Sequence, residues 1–204
     1  MPAPAAAPSF SGTAGPLPAP AFQQSGFLIG RIRCIPSDGL PSTYISRYLD
    51  AHNGLLLRTQ DPMHSLQVRW NPSSLPTSTL GTVNCRSSYQ FLGGVTRNNN
   101  PQFLPGCSES LSITTTTGPT SSTRAHSRIY KGRPISGLPF ANIWNIIHDG
   151  TVVATLRVDD TSYALTSMIT LKSNSVSLAL CPRAYLASRS PGDRVEVRLV
   201  FEPI

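Results

Sequence analysis

The sequence predicts an all-β protein, and three observations predict it. Short stretches alternate apolar and polar residues at period two, the pattern of strands with one buried face. The clearest runs are Leu66, Val68 and Trp70; Val152, Ala154, Leu156 and Val158; and Val195, Val197, Leu199 and Phe201. Turn-forming residues punctuate these runs: the 204 residues include 19 Pro and 15 Gly, with Asn53-Gly54 and Asp149-Gly150 placed between apolar segments. Charged residues make up only 13 % of the chain, against a usual ~25 %. Many short strands joined by tight turns satisfy all three observations.

Taken in order, residues 1–24 come first. They are built from Pro, Ala, Ser and Gly, carry no charge, and offer only Phe10, Leu17 and Phe22 as larger apolar groups. Such a segment buries too little surface to fold alone, and its prolines favour extended conformations. It reads either as a disordered tail without a role or as an arm that orders on a neighbouring subunit, giving a flexible arm over 1–25 and one folded body over 26–204. Six prolines within the first twenty residues also break any signal-peptide pattern. Nowhere does an apolar run approach the ~20 residues that cross a bilayer.

Residues 26–35 form the first predicted strand, closed by Pro36 and Gly39. Tyr44, Ile45, Tyr48 and Leu49 stand at helical spacing, so a short helix is expected over 42–51. Strands follow at 55–58, 66–70, 80–86, 88–95 and 109–117, the last rich in Thr. The segment 124–134 is basic and partly strand. Residues 142–171 read as three consecutive antiparallel strands. The first turn is Asp149-Gly150, expected as type I′ with positive φ at both residues. The second is the break at Asp159-Asp160. Val176, Leu178 and Leu180 make another strand, 182–193 a loop, and 195–201 the last strand. The expected core is Leu66, Val68, Trp70, Leu111, Ile113, Val152, Leu156, Leu165, Ile169, Leu178, Val195, Val197, Leu199 and Phe201. Eight to ten strands with almost no helix indicate a sandwich or closed barrel. The length suits an eight-stranded antiparallel jelly-roll sandwich better than an immunoglobulin-like domain of ~100 residues.

The cysteines Cys34, Cys85, Cys107 and Cys181 contain no C-x-x-C pair, which argues against a zinc or redox motif. Four free thiols packed as small apolar groups are favoured over one or two disulfides. The chain has no G-x-S-x-G, no H-E-x-x-H and no phosphate-cradling glycine loop. His52, His64, His126 and His148 show no regular spacing. These features imply no enzyme, no cofactor and no metal.

Charge is the most informative functional signal. The net charge is +7, and residues 62–148 hold seven basic side chains against one acid, Glu109. The densest part contains Arg124, Arg128, Lys131 and Arg133. Fifteen of the seventeen basic residues are Arg, whose planar guanidinium pairs with phosphate through two parallel hydrogen bonds. These four residues are the candidate RNA contacts, with Arg31 and Arg33 near the root of the arm as secondary candidates; a solubilising surface or Arg pairs across subunit contacts is the alternative reading of the same charge. Contact would be with the backbone and without base specificity.

The uncharged Pro/Ala-rich arm and the compact β body ending in VEVRLVFEPI resemble a family. It is the small single-jelly-roll coat proteins of positive-strand RNA viruses, of the sobemovirus and barnavirus type. The resemblance covers the whole chain and rests on layout, not on a diagnostic motif. It implies a capsid protein that self-assembles in many copies into a virion shell around single-stranded RNA. Assembly would take place in the host cytoplasm, with no membrane partner. The sequence departs from the pattern in one respect: many such arms are rich in Arg or Lys, and here the first charged residue is Arg31. The alternative reading is a non-enzymatic recognition module, a projecting capsid domain or lectin-like β-sandwich that binds a receptor.

Overall fold

The computed structural model describes residues 26–51, 54–73, 77–97, 99–118, 137–188 and 190–204, with backbone alone at 129–130 and 133–134. The arm predicted over 1–25 lies outside the described residues. The body is all-β and antiparallel, a jelly-roll-like fold whose sheet curls closed on itself.

The strands are β1 (Leu28–Pro36), β2 (Thr43–Leu49), β3 (Leu56–Thr59), β4 (Gln67–Trp70), β5 (Leu80–Thr82), β6 (Phe91–Thr96) and β7 (Ser110–Thr116). Then come the short β8 (Ile129–Tyr130), β9 (Arg133–Pro134), β10 (Pro139–Phe140) and β11 (Trp144–Ile146). The chain ends with β12 (Thr151–Val158), β13 (Thr161–Thr170), β14 (Ser175–Ala179) and β15 (Arg194–Pro203). Eight of them close a ring, β1–β4–β5–β6–β7–β14–β13–β15 and back to β1. The hairpin β2–β3 bridges the same ring by a shorter route between β1 and β14. β12 pairs with both β13 and β15, and β11 pairs with β12. Residues 142–171 thus form the three-stranded meander that alternation predicted. β8 and β9 make a separate two-stranded ladder. Among the described residues no helix is long and apolar enough to cross a membrane.

The closed sheet surrounds one core. Eleven of the fourteen expected residues are buried in it, while Trp70, Leu165 and Val195 are half-buried and pack against its margin. Its largest member is Trp144, fully buried, whose Nε1–H donates to the Leu92 carbonyl at 2.8 Å. The Thr-rich strand β7 brings hydroxyls inside, and each finds a partner. Thr114 donates to the Gly54 carbonyl at 2.9 Å, and Thr115 to Ser87 Oγ at 2.8 Å. Such pairing offsets the desolvation of buried polar groups. None of the four cysteines forms a disulfide. Burial pushes the Cys34 thiol up to about 12, against smaller downward pulls from Arg58 and Thr43.

Four local expectations are corrected. The helix over 42–51 is instead strand β2. Its pairing with β3 slips between Ile45 and Leu49, so four steps of β2 face two of β3. A bulge breaks strict alternation, and the resulting i, i+1, i+4, i+5 pattern imitated a helix. The Asp149-Gly150 turn is not type I′. Gly150 has φ +81° and Asp149 is not in the positive-φ region. Gly150 N–H donates to the Ile147 carbonyl at 2.8 Å, and Ile147 N–H to the Thr151 carbonyl at 3.0 Å. That is a three-residue turn with glycine in the left-handed position. The Asp149 carboxylate closes it by accepting from Thr151 N–H at 2.9 Å and Thr151 Oγ1 at 3.0 Å. The expected 182–193 loop begins with a helix, α1 (Pro182–Ala187), with proline in its first turn. The strands expected over 80–86 and 88–95 shrink to β5 and β6. Asn84 leaves the ladder and its side chain clamps the β4 edge, accepting from Gln67 N–H at 2.8 Å and donating to the Ser65 carbonyl at 3.0 Å.

Two predictions follow from this packing. A Cβ at Gly30 would stand 2.5 Å from Phe201 Cζ and 2.6 Å from the Glu202 carbonyl oxygen, whereas one at Gly26 meets nothing within 4 Å. Gly30→Ala should cost about 1–3 kcal/mol, and Gly26→Ala should stay within about 0.5 kcal/mol of neutral. Chemical denaturation of both variants checks this. The Thr151 hydrogen bonds also hold the Asp149 carboxyl below its ordinary range. A lowered native pKa means that its contribution is present above the unfolded value of about 3.9 and is lost as pH falls through the native one. NMR titration should find Asp149 below ordinary aspartates, and Thr151→Val, which removes the hydroxyl but keeps the backbone N–H, should raise it only in part.

Candidate nucleic-acid interface

Strand β1 divides its side chains cleanly. Ile32 and Cys34 point into the core, and Ile29, Arg31, Arg33 and Ile35 point out. The neighbours extend this outer face. β4 places Gln67 opposite Arg31 and Arg69 opposite Ile29. β15 places Glu202 opposite Arg31, Val200 opposite Arg33, and Arg198 opposite Ile35. β2 adds Tyr44 opposite Arg33. Residues two apart on one strand are separated by about 7 Å, and diagonal cross-strand neighbours by about 7–8 Å. Arg69, Arg31, Arg33 and Arg198 therefore run obliquely across three strands as one strip.

Glu202 is shared. Arg31 Nε lies 3.5 Å from its Oε2, and Arg33 donates to its Oε1 at 3.1 Å. Both arginine side chains remain partly exposed, at 29 % and 41 %. Such exposed pairs contribute about 0–1 kcal/mol, so the guanidiniums are available for exchange onto a phosphate. Glu196 is the other carboxylate on the outer face of β15. The four arginines thus outnumber the acids by two.

Aromatic rings interleave the charges. The Arg31 guanidinium lies 5.2 Å from the Tyr44 ring centroid, and Arg69 lies 5.4 Å from that of Phe27, which is 63 % exposed. On the adjoining end of β2, Arg47 lies 5.0 Å from the Tyr48 ring. Gly81, opposite Arg69 on β5, makes room for it: a Cβ there would stand 2.8 Å from Arg69 Nε. A rigid strand face with fixed guanidiniums and exposed rings suits a single-stranded polyanion. Arginine takes phosphates and rings stack on bases, with no base-edge readout.

The sequence-derived candidates fare unequally. Arg31 and Arg33 stand together on this face. Arg133 lies on β9, in the ladder separate from the main sheet, with Tyr130 opposite it. Arg124, Arg128 and Lys131 lie outside the described residues. Sequence reasoning missed Arg69, Arg198, Phe27 and Tyr44 as partners of Arg31 and Arg33. Alternation alone marked Arg69 and Arg198 as outward, but their adjacency comes from the β1–β4 and β1–β15 registers.

Replacing Arg31, Arg33 and Arg69 together by Gln should lower single-stranded RNA affinity. The magnitude of its log–log salt slope should shrink by roughly two, at ~0.7 per phosphate contact. Arg183→Gln on α1 should change neither. Fluorescence anisotropy across a salt series measures both; an unaltered slope in the triple variant removes RNA from this face. No protein-family model, no characterised protein and no solved structure matches the chain.

Proposed function

We propose that the chain is a viral coat protein, a structural subunit without catalysis that self-assembles into a shell enclosing single-stranded RNA. The observation that carries this reading is the arginine–aromatic strip across β4, β1 and β15. It lies on a closed β body where neighbouring subunits and RNA meet a rigid surface. Phe27, Ile29 and Ile204 add an exposed apolar patch at the edge of the strip, and Ile204 N–H donates to the Ile29 carbonyl at 3.1 Å. Apolar surface of this kind suits contact with another copy. The family resemblance of arm and body points the same way. The virion is the proposed location, after assembly in the host cytoplasm. RNA is the proposed cargo, held through phosphates by Arg31 and Arg33 and by the basic cluster Arg124, Arg128, Lys131 and Arg133.

Negative-stain electron microscopy of the purified full chain with RNA tests the reading. Closed particles of uniform size are expected, with nuclease-protected RNA inside. A chain that stays monomeric or dimeric at high concentration rules the shell out. Deleting residues 1–24 should leave the body folded and alter particle size or yield. Replacing Arg124, Arg128, Lys131 and Arg133 by Gln should reduce packaged RNA per particle; shells with undiminished RNA would take that cluster out of the assignment.

A further inference from the structure

Glu202 is the carboxylate paired with the arginine strip. Its backbone is pinned on both sides. Phe201 N–H donates to the Gly150 carbonyl at 2.8 Å, and Ile204 N–H to the Ile29 carbonyl at 3.1 Å. The β1–β15 register sets Glu202 directly opposite Arg31 and diagonal to Arg33. Its Oε1 accepts from Arg33 at 3.1 Å, and its Oε2 lies 3.5 Å from Arg31 Nε. One carboxylate thus bridges two guanidiniums, an oxygen to each. The Glu202 side chain is itself 27 % exposed. Rotation about its side-chain bonds releases the carboxylate to water while β15 stays in place.

The bridge adds little to folding, because exposed ion pairs lose in side-chain order and screening most of what they gain in attraction. The β1–β15 ladder and the Phe201–Trp70 ring contact already hold this edge. Its consequence is for anions. A carboxylate and a phosphate take the same guanidinium hydrogens, so one of them occupies the arginine pair at a time. Glu202 is tethered beside the pair, and short tethers give effective concentrations in the millimolar range. A lone phosphate has to outcompete that concentration. A chain of phosphates also reaches Arg69 and Arg198, and linked contacts reinforce one another. Arg31 and Arg33 stand about 7 Å apart along β1, comparable with the step between neighbouring phosphates of an extended strand.

We propose that Glu202 is a built-in competitor that gates the strip. It keeps Arg31 and Arg33 closed to single phosphates and free nucleotides, and it yields to a polymer with consecutive phosphates. The inference rests on the reading of this face as an RNA contact. It adds a regulating residue to that contact, and it defines the ligand by the number and linkage of its phosphates.

Fluorescence anisotropy of a trace-labelled oligouridylate on the full chain tests it. Glu202→Gln keeps the side-chain shape and removes the charge. Glu196→Gln removes the same charge from the same face of β15, about 20 Å along the strand, and so measures the effect of charge alone. The double variant Arg31→Gln/Arg33→Gln, with and without Glu202→Gln, shows whether the effect passes through the two arginines. Glu202→Gln should tighten binding about three- to tenfold, and Glu196→Gln about twofold or less. In the arginine double variant, Glu202→Gln should add no more than Glu196→Gln does. The inhibition constant of uridine monophosphate against the oligomer should fall in Glu202→Gln by the same factor as the oligomer's own dissociation constant.

Equal effects of the two glutamate variants overturn the proposal, since charge alone then explains them. So does weaker binding by Glu202→Gln, the result if Glu202 orients the arginines instead of occupying them. Wild-type binding that Glu202→Gln leaves unaltered overturns the proposal and leaves the RNA reading standing. If neither the wild type nor Glu202→Gln binds the oligomer, the RNA reading of this face falls and the proposal with it.

Discussion

The pairing of β1 with β15 is the contact on which the rest of the structure depends. Seven consecutive residue pairs, from Gly30 opposite Pro203 to Pro36 opposite Val197, join the two ends of the described chain. Every other strand of the ring lies between them in sequence. The pair covers one edge of β1 and one edge of β15 along this length, and closure removes the open hydrogen-bonding row that makes flat sheets aggregate. Its tightest point is Gly30, where the missing side chain lets Phe201 lie against the backbone. Phe201 in turn meets Trp70 edge-on at 5.9 Å between centroids. Closing a ring through contacts this distant in sequence costs loop entropy before it returns packing, so the fold belongs among slowly forming topologies.

The same register divides inside from outside. Ile32 and Cys34 on β1, with Val197, Leu199 and Phe201 on β15, fill the core. The residues between them, Arg31, Arg33, Arg198 and Glu202, have only the outer face available. A slip of one residue would bury four charges and expose the core, which no arrangement of solvent could offset. Core packing therefore enforces the arginine strip. The chemistry of the face is a by-product of a register that the hydrophobic effect selects.

The β2–β3 pair answers to a different constraint. It is regular at Tyr44 opposite Thr59 and Ile45 opposite Arg58, then slips before Leu49. That irregularity breaks the alternation of β2, and it disguised a strand as a helix in the sequence.

Much of this was legible in the sequence by itself. Period-two alternation located nearly every long strand and most of the core, because alternation belongs to a single strand and needs no partner to be seen. The meander over 142–171 followed from the same signal. What the sequence could not determine was every feature that depends on which strands lie side by side. The pairing of β1 with β4, which sets Arg69 beside Ile29, the sharing of Glu202 by two arginines, the slip in β2 and the hydrogen bonds between Arg58 and Asn174 all involve residues far apart in the chain. Their adjacency is selected by closure of the sheet around one core. That is a collective minimum over many contacts, so no local pattern of residues carries it.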